Sequence, residues 1–263
     1  MKKRLYVASV SWGKDSTRML ELILQTNRVL DLVIFVNTGY EFDSVYAVRD
    51  KALEKLREHN VTYVEIDMKH AFEHYMFFHN IQAKDGSIKV GYKWCGGVCR
   101  WGTALKLKTL HHYYTTTLWE YDITEYIGIA ADEWHRVDRK ALMSQKKRYP
   151  LVEEGLTEYM CLMDCYQMGY TWEEDGIRLY DILDRLSCWC CKNKNLKELK
   201  NMYYLLPKYW KRLERLQLCF ADMPMKGEAK DVFGLKARFQ REGRELLLSE
   251  CVIEKNTVSK EDE

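Results

Sequence analysis

The chain's first loop reads Ser11-Trp12-Gly13-Lys14-Asp15-Ser16-Thr17, and it joins an apolar run to a helical pattern. The apolar run covers residues 5–10 and predicts a buried strand. Beyond Ser16 the apolar residues recur at helical spacing, which predicts a helix that begins at the end of the loop. This order of strand, glycine-containing turn and helix points backbone N–H groups and the positive end of a helix dipole at one place. Such a place suits a phosphate group.

The side chains of this loop fit a phosphate site that also holds a cation. Gly13 lets the backbone approach an anion closely, and Lys14, Ser11 and Ser16 are candidate phosphate donors. Asp15 would repel phosphate, so we expect it to hold a divalent cation that bridges phosphates. An ordinary strand-to-helix turn with a serine cap is the plainer interpretation of the same residues.

The length and composition of the chain limit the class of protein to which it can belong. The chain has 263 residues, of which 47% are hydrophobic and 30% charged, as in ordinary globular proteins with one core or a main domain and a smaller one. No apolar run approaches membrane-spanning length, so we expect no membrane partner. The basic start is followed by too short an apolar stretch for a signal peptide, and we expect a cytoplasmic location. The formal net charge of +2 gives no global argument for nucleic acid.

The pattern of apolar runs predicts an α/β fold. A second continuous apolar run at residues 32–36 follows the first helix, and two such strands separated by one helix predict a parallel sheet. The later part of the chain has helical patterns. We therefore expect a nucleotide-binding α/β domain over residues 1–150, a helical carboxyl-terminal region over 151–253 packed on it, and a charged tail over 254–263.

Ligands of such sheets bind where the strands end. Small and polar residues follow the second predicted strand: Asn37, Thr38 and Gly39. Asp132 and Glu133 follow a later strand and could bind magnesium or hold Arg136 against phosphate. A solvated loop at the strand end is the alternative for these charged residues.

Nine cysteines are many for a chain without an export signal, and a reducing compartment disfavours disulfides. Five of them form two groups: Cys95 and Cys99, and Cys188, Cys190 and Cys191. Two such groups that meet in space could hold a tetrahedral zinc ion or an iron–sulfur cluster. The alternative is a set of small buried side chains. For Cys161 and Cys165, on a predicted helix, we favour packing.

The late helices carry many basic residues with aromatic residues among them. The basic residues are Lys192, Lys194, Lys197, Lys200, Lys208, Lys211, Arg212 and Arg215, and the aromatic ones are Tyr203, Tyr204, Tyr209 and Trp210. A basic face with aromatic side chains can bind nucleic acid. A solvated face of a helical bundle explains the same run, and we favour it slightly.

Several segments together resemble one family. They are Ser11–Ser16, Asn37–Phe42, Trp94-Cys95 with Arg100 and Lys106, and Gly128–Glu133 with Arg136. The first is similar to the S-x-G-x-D-S pyrophosphate loop of the adenine nucleotide alpha-hydrolase (PP-loop) superfamily. In this order the segments look like the phosphoadenosine phosphosulfate (PAPS) reductase family. The resemblance implies a Rossmann-like sheet that binds an adenine nucleotide, and it favours a [4Fe-4S] cluster over zinc at the cysteines.

Two departures from the reductases point to a different reaction. Asp15 is typical of ATP-using members of the superfamily. The reductases carry an E-C-G-x-H motif near the carboxyl terminus, and here Cys251 is followed by valine and isoleucine instead. We therefore expect cleavage of ATP to AMP and pyrophosphate, which activates an acceptor for sulfur transfer. The alternatives are a sulfonucleotide reductase that releases sulfite, and a non-catalytic module that senses nucleotide and binds nucleic acid.

Each expected role falls on particular residues. The loop N–H groups with Ser11 and Ser16 hold pyrophosphate, and Lys14 neutralises its charge. Asp15, with Asp132 or Glu133, positions Mg²⁺, and Arg136 completes the catalytic set. Phe35 lies near adenine, and the cysteines bind or activate sulfur. The expected partners are an adenine nucleotide, a tRNA or DNA acceptor on the basic helices near 192–215, and a second copy of the chain.

Overall fold

The computed structural model describes residues 2–94, 99, 101–138, 140, 143, 145–226 and 230–243. Two cysteines named above, Cys95 and Cys251, and also Arg100, lie outside this part of the chain. Contacts divide the chain into two compact units. The first unit comprises Met1–Gly39, Asp43–Met68 and Leu107–Thr171. The second comprises Tyr40–Phe42, Lys69–Lys106 and Trp172–Glu263.

Strands and helices alternate through the first third of the chain, and helices predominate later. The strands are β1 (Lys3–Val10), β2 (Leu32–Asn37), β3 (Thr62–Asp67), β4 (Asn80–Gln82), β5 (Ile88–Val90), β6 (Tyr121–Ile127), β7 (Lys147–Arg148), β8 (Glu173–Glu174) and β9 (Ile177–Arg178). The helices are α1 (Lys14–Gln25), α2 (Asp43–Glu58), α3 (Lys69–Phe77), α4 (Thr103–Thr116), α5 (Pro150–Glu153), α6 (Glu158–Gln167), α7 (Leu179–Ile182), α8 (Leu196–Leu205), α9 (Pro207–Cys219) and α10 (Val232–Glu242). A 3₁₀ helix spans Ala131–Arg136. None of the described helices is both long enough and apolar enough to cross a membrane.

The first unit is built on one five-stranded sheet, with the strand order β3-β2-β1-β6-β7. Every neighbouring pair in it is parallel. In the central strand, Val7 pairs with Leu32 on one side and with Glu125 on the other. Helices connect the parallel strands, as this pairing requires. The predicted Rossmann-like α/β fold with a mainly parallel sheet is confirmed.

Burial explains why β2 is a continuous apolar run. The residues of Leu32–Val36 are all buried, because a strand inside a parallel sheet has both faces covered. Helix α1 shows the other pattern, with Met19 and Ile23 fully buried at helical spacing. Each such side chain stabilises the fold by about 1.5–3 kcal/mol relative to an exposed one. Helix α1 packs against α5 and α6.

A buried carboxylate links three segments of the first unit. Glu21 of α1 accepts from Lys55 Nζ of α2 at 2.8 Å through both oxygens. The Tyr170 hydroxyl donates to the same carboxylate at 2.5 Å. Because Glu21 is buried, these bonds compensate the loss of water around its charge.

The second unit consists of helices and two short hairpins, β4–β5 and β8–β9. The turn residues Asp85-Gly86 predict a loop or hairpin in this segment, and β4 and β5 flank that turn. Helix α8 begins with a capping box in which the Asn195 side chain accepts from the N–H of Glu198 and the Glu198 carboxylate accepts from the N–H of Asn195. Helices α8, α9 and α10 pack on one another.

Candidate functional site

The loop between β1 and α1 closes on itself through its serines. Ser16 Oγ accepts from the Ser11 N–H at 3.2 Å and lies 3.2 Å from the Gly13 carbonyl, to which it donates. Helix α1 begins at Lys14, and its N-cap, Gly13, has no side chain to cap the first-turn N–H groups. An uncapped helix start offers these N–H groups and the positive end of the dipole to an anion.

The Trp12 side chain anchors the loop in the core of the first unit. Its backbone has φ 59°, an uncommon conformation for a bulky residue. The indole is fully buried, and its ring centre lies 6.2 Å from that of Phe35 and 6.0 Å from that of Tyr63. This packing holds the strained turn. Phe35, expected near adenine, is itself fully buried in β2.

Gly128 lies directly against the start of α1. A Cβ atom added at this position would lie 2.9 Å from Ser16 Cα and 3.0 Å from Ser16 N. It would also lie 3.1 Å from the carbonyl carbon of Asp15. Both neighbours are backbone, so the segment after β6 approaches the loop this closely because residue 128 has no side chain.

The Lys14 ammonium is buried between carboxylates. Its side chain is 3% exposed, and Nζ donates to both oxygens of Asp15, at 2.8 and 3.0 Å. It also lies 3.5 Å from Oε1 of Glu158, in the first turn of α6. Burial raises the pKa of Asp15 above its ordinary value, against the opposing effect of Lys14. Burial likewise raises the pKa of Glu158.

The 3₁₀ helix after β6 brings two further carboxylates to this place. Asp132 and Glu133 lie close enough to raise the pKa of both Asp15 and Glu158. The Asp132 carboxylate accepts from the Glu158 N–H at 3.1 and 3.2 Å. Glu133 accepts from Arg136 Nη1 at 2.5 Å, and the Arg136 side chain is half exposed. The structure therefore brings Lys14, Asp15, Asp132 and Glu133 to one place.

The residues after β2 form a fixed turn at the same edge of the sheet. Asn37 Oδ1 accepts from the Gly39 N–H at 2.8 Å and from the Tyr46 hydroxyl at 2.9 Å, while Asn37 Nδ2 donates to Glu65 at 2.7 Å. Gly39 has φ 72°, which glycine adopts without strain. Thr38 is fully buried. The parallel strands β1, β2 and β6 thus end with the three predicted segments at one edge.

Magnesium suits the donors at this edge. Mg²⁺ is held in proteins by one or two carboxylates together with substrate phosphates. Asp15 supplies a carboxylate, and Asp132 and Glu133 supply two more that lie close enough to raise the pKa of Asp15. Among the described residues, no three His, Cys, Asp or Glu side chains are arranged to hold a metal ion on their own. The donor set therefore fits a cation that is shared with phosphate.

The cysteine groups come together in the second unit. Cys190 is fully buried, and burial raises the pKa of its thiol. Cys188, Cys191 and Cys99 all lie close enough to raise this pKa further. The Cys191 N–H donates to the Cys188 carbonyl at 3.0 Å, which closes the turn between them. The other expected ligand, Cys95, lies outside the described residues.

Trp189 explains how the Cys-Trp-Cys-Cys segment folds. Its N–H donates to the Tyr40 carbonyl at 3.0 Å, and its ring stacks on that of Tyr40 with the centres 5.3 Å apart. The Arg212 guanidinium also lies over the Trp189 ring, 5.7 Å from its centre. These contacts of Trp189 hold the backbone at residues 188–190, and they thereby position the Cys188 and Cys190 side chains.

Thiols are donors for a soft metal, but no three of the cysteines in the described part of the chain are arranged to hold a metal ion on their own. Cys99, Cys188, Cys190 and Cys191 are unbridged by disulfides, and thiolates are the ligands of zinc and iron–sulfur sites. Gly102 leaves room for one of them, because a Cβ there would lie 2.6 Å from Cys99 Sγ.

The other cysteine pair lies in α6 of the first unit. Cys161 and Cys165 are both fully buried, and burial raises the pKa of Cys161 to about 12. Cys165 Sγ donates to the Lys14 carbonyl at 3.5 Å. Both thiols therefore stay protonated near neutral pH and pack against the start of α1, in agreement with the packing expected from the sequence.

At least five of the eight basic residues near 192–215 make contacts inside the second unit, and one of them is Lys208, whose Nζ lies 5.4 Å from the centre of the Tyr209 ring. Lys192 Nζ donates to the Trp94 carbonyl, and Lys194 Nζ donates to Ser187. Lys200 pairs with Glu242, and Arg212 lies over aromatic rings. The most exposed basic residues of the run are Lys208, Lys211 and Arg215. Of the interleaved aromatic residues, Tyr209 and Trp210 are buried.

Comparison with known proteins finds a family that is similar to the first part of the chain. Residues 5–93 match the family described as phosphoadenosine phosphosulfate reductase domain. This confirms the resemblance over these residues, which contain the loop and the turn after β2.

Two individual proteins are similar over most of the chain. An uncharacterized protein of Methanocaldococcus jannaschii is 24% identical over 234 residues, which are 87% of this chain and 44% of that protein. The chain thus spans less than half the length of this curated relative. The solved structure of the U34-tRNA thiolase NcsA from Methanococcus maripaludis with its [4Fe-4S] cluster aligns with a TM-score of 0.41 and 17% identity. That alignment covers 93% of this chain and 75% of the thiolase chain.

Sequence reasoning assigned no role to two residues that shape the site. Glu158 reads as an ordinary first-turn glutamate of a helix, and its contact with Lys14 depends on how α6 packs on α1. Gly128 reads as a residue at the end of a strand. A glycine at this position, next to a charged segment, was the available signal for a close backbone approach.

Proposed function

We propose that this chain binds ATP with Mg²⁺ at the edge formed by the ends of β1, β2 and β6. It cleaves ATP between the α and β phosphates and activates an acceptor for sulfur transfer. The observation that carries this proposal is the buried Lys14 ammonium at an uncapped helix start, beside Asp15 and two further carboxylates. A lysine supports phosphate binding, and an aspartate in the same loop supports a bridging cation.

The residues of the loop act on the leaving pyrophosphate. A carbonyl oxygen of the acceptor attacks the α-phosphorus, and the bond from the α-phosphorus to the bridging oxygen breaks. The electron pair leaves with pyrophosphate. The N–H groups at the start of α1, with Ser11 and Ser16, hold this group, and Lys14 neutralises the charge that develops on it. Asp15, with Asp132 or Glu133, would hold Mg²⁺, which would supply further positive charge when bound, and Arg136 would support the phosphates.

Sulfur then replaces the activated oxygen. A hydrosulfide sulfur attacks the acceptor carbon, the carbon–oxygen bond breaks, and AMP leaves with the oxygen. The hydrosulfide proton passes to solvent, and no electron donor is required. The ligands of a [4Fe-4S] cluster, which takes no more than four thiolates, are proposed to come from Cys95, Cys99, Cys188, Cys190 and Cys191. When present, the cluster would bind the sulfur, whereas zinc would make these cysteines a structural site.

Product analysis under anaerobic conditions tests the proposal. The purified chain is incubated with ATP, Mg²⁺, hydrosulfide and total RNA, and AMP, ADP, pyrophosphate and thiolated nucleosides are measured. We expect equal amounts of AMP and pyrophosphate. Lys14→Met should lower their formation by about a hundredfold, the effect of removing one group that stabilises developing charge. Lys84→Met, at an exposed lysine next to β4, is the matched control. Formation of ADP, or equal rates for both variants, would contradict the proposal.

Sulfonucleotide reduction is the second candidate, because the matched family is described as a reductase domain. In that reaction a thiol attacks sulfur and no pyrophosphate forms. PAPS and a dithiol replace ATP in the same assay, with sulfite as the measured product. Release of sulfite without release of pyrophosphate from ATP would establish the reductase instead.

A nucleic-acid acceptor is the partner we infer for the second unit. Lys208, Lys211 and Arg215 are exposed on α9 and supply positive charge for phosphate contacts. If they bind RNA, changing all three to glutamine lowers both the affinity for RNA and its dependence on salt. A homodimer is a further proposal, tested by light scattering of the purified chain.

A further inference from the structure

Two carboxylates from distant parts of the chain hold the Lys14 ammonium. Asp15 is its neighbour in sequence, with Nζ to oxygen distances of 2.8 and 3.0 Å. Glu158 approaches from α6, with its Oε1 3.5 Å from Nζ. The Lys14 side chain is 3% exposed. In this position the lysine is directed at carboxylates rather than at solvent.

The position of Glu158 is set by the backbone on both sides of it. The Asp132 carboxylate accepts from the Glu158 N–H at 3.1 and 3.2 Å. The Leu156 carbonyl accepts from the Ala131 N–H at 2.7 Å, and Thr157 caps α6 by accepting from the Met160 N–H at 3.3 Å. The start of α6 is thus tied to the 3₁₀ helix, and the Glu158 carboxylate has a fixed place opposite the loop.

The charges around Lys14 are mostly negative. Asp15 and Glu158 flank the ammonium, the Asp132 carboxylate accepts from the Glu158 N–H, and Arg136 is paired with Glu133. Pyrophosphate brings more negative charge to the same place. Repulsion between like charges at short range is strong where water is partly excluded. Anion binding here therefore requires that some of the carboxylate charge be neutralised.

We propose that Glu158 is a positioning residue that keeps Lys14 docked on the carboxylates and makes the capture of pyrophosphate conditional on Mg²⁺. This inference rests on the proposed nucleotide site. Once the charges of Asp15 and Asp132 are neutralised, the flexible side chain of Lys14 is attracted to the phosphate oxygens. Glu158 is too far along the chain to belong to the loop, and it acts only through Lys14.

Calorimetric titration with inorganic pyrophosphate tests this role without any turnover. Wild type, Glu158→Gln and Glu158→Asp are titrated with and without Mg²⁺. Glu158→Gln keeps the backbone N–H to Asp132 and the length of the side chain, and removes only the charge. Glu154→Gln is the matched control, because Glu154 pairs with Arg28 at 2.6 Å and does not contact Lys14. Thermal unfolding of each variant shows whether it is folded.

We expect wild type to bind pyrophosphate far more tightly with Mg²⁺ than without it. Glu158→Gln should bind Mg²⁺-free pyrophosphate about tenfold more tightly than wild type, because the Lys14 ammonium then loses one of the charges that hold it away from the ligand. Its dependence on Mg²⁺ should shrink by the same factor. Glu158→Asp should restore wild-type behaviour in part, and Glu154→Gln should match wild type.

The results distinguish a wrong role for Glu158 from a wrong nucleotide site. If wild type binds Mg²⁺–pyrophosphate and Glu158→Gln has wild-type affinity without Mg²⁺, the role of Glu158 is wrong and the nucleotide site stands. If wild type binds no pyrophosphate in either condition, the proposed function is wrong and the inference falls with it. If Glu158→Gln unfolds, the comparison is made with Glu158→Asp, and equality of that variant with wild type in both conditions overturns the inference.

Discussion

A methyl group added at Gly128 changes a close backbone approach between the segment after β6 and the start of α1. In Gly128→Ala the new Cβ would lie 2.9 Å from Ser16 Cα and 3.0 Å from Ser16 N, whereas ordinary contacts begin at 3.4 Å. The two backbone segments must therefore separate by about 0.5 Å at their closest point. No flexible side chain can absorb this movement, because the atoms that clash belong to the main chain.

The displaced atoms are those that would bind pyrophosphate. We expect Gly128→Ala to weaken the binding of Mg²⁺–pyrophosphate by about ten- to a hundredfold, since a displacement of ~1 Å costs about a hundredfold in well-aligned sites. The free energy of unfolding should fall by about 1–3 kcal/mol, as for other overpacked positions. Calorimetric titration measures the first effect and urea unfolding measures the second.

Gly176→Ala is the control for this experiment. Nothing lies within 4 Å of a Cβ added at Gly176, but its φ of 81° is strained for alanine. This variant should therefore lose about 1–2 kcal/mol of stability with its pyrophosphate affinity unchanged. Wild-type affinity in Gly128→Ala, or equal losses of affinity in both variants, would refute the assigned geometry of the loop.

Three further predictions concern other parts of the molecule. Cys190→Ser should abolish the roughly four irons and four sulfides per chain that we expect after anaerobic reconstitution, whereas Cys219→Ser, at an exposed cysteine of α9, should retain them; equal iron in both would exclude Cys190 as a ligand. Glu21→Gln should lower the free energy of unfolding by about 2 kcal/mol without affecting nucleotide binding. The reason is that a neutral amide is a weaker hydrogen-bond acceptor for Lys55 and Tyr170 than the carboxylate. Burial raises the pKa of Glu125, so the folded state retains its proton at a pH where the unfolded state has lost it, and stability should fall as the pH rises from about 4.5 through the raised pKa. Glu125→Gln should flatten this slope in urea unfolding at about pH 5 and about pH 7.5, and an unchanged slope would contradict the assignment.

Local patterns were enough to predict the sheet and the loop. The continuous apolar run of β2 and the order strand, loop and helix are visible in the sequence, and the parallel sheet follows from them. The same reasoning placed Asn37 and Asp132 at strand ends. Parallel pairing then requires these ends to share one edge, so the grouping of Asp15 with Asp132 and Glu133 was predictable.

Contacts that depend on packing between helices could not be read from the sequence. The approach of Glu158 to Lys14 depends on α6 packing against α1, and no periodicity specifies which first-turn residue will face the lysine. The basic run near residues 192–215 shows the reverse case. It reads as a basic surface, yet Lys192, Lys194 and Lys200 are bound inside the second unit. The contact that each lysine finds is a property of the folded chain.

Equilibrium binding of ATP to the intact chain is the direct test of the proposed ATP and Mg²⁺ site at the loop between β1 and α1. Calorimetry is performed with and without Mg²⁺ on wild type, on Asp15→Asn, and on Asp31→Asn, whose aspartate accepts from the Tyr6 N–H away from the loop. The account predicts Mg²⁺-dependent binding of ATP to wild type and to Asp31→Asn. It predicts a loss of at least about tenfold in affinity for Asp15→Asn, the size expected for one ligand of the bridging cation. Failure of wild type to bind ATP, or equal Mg²⁺-dependent binding by Asp15→Asn, would contradict the account.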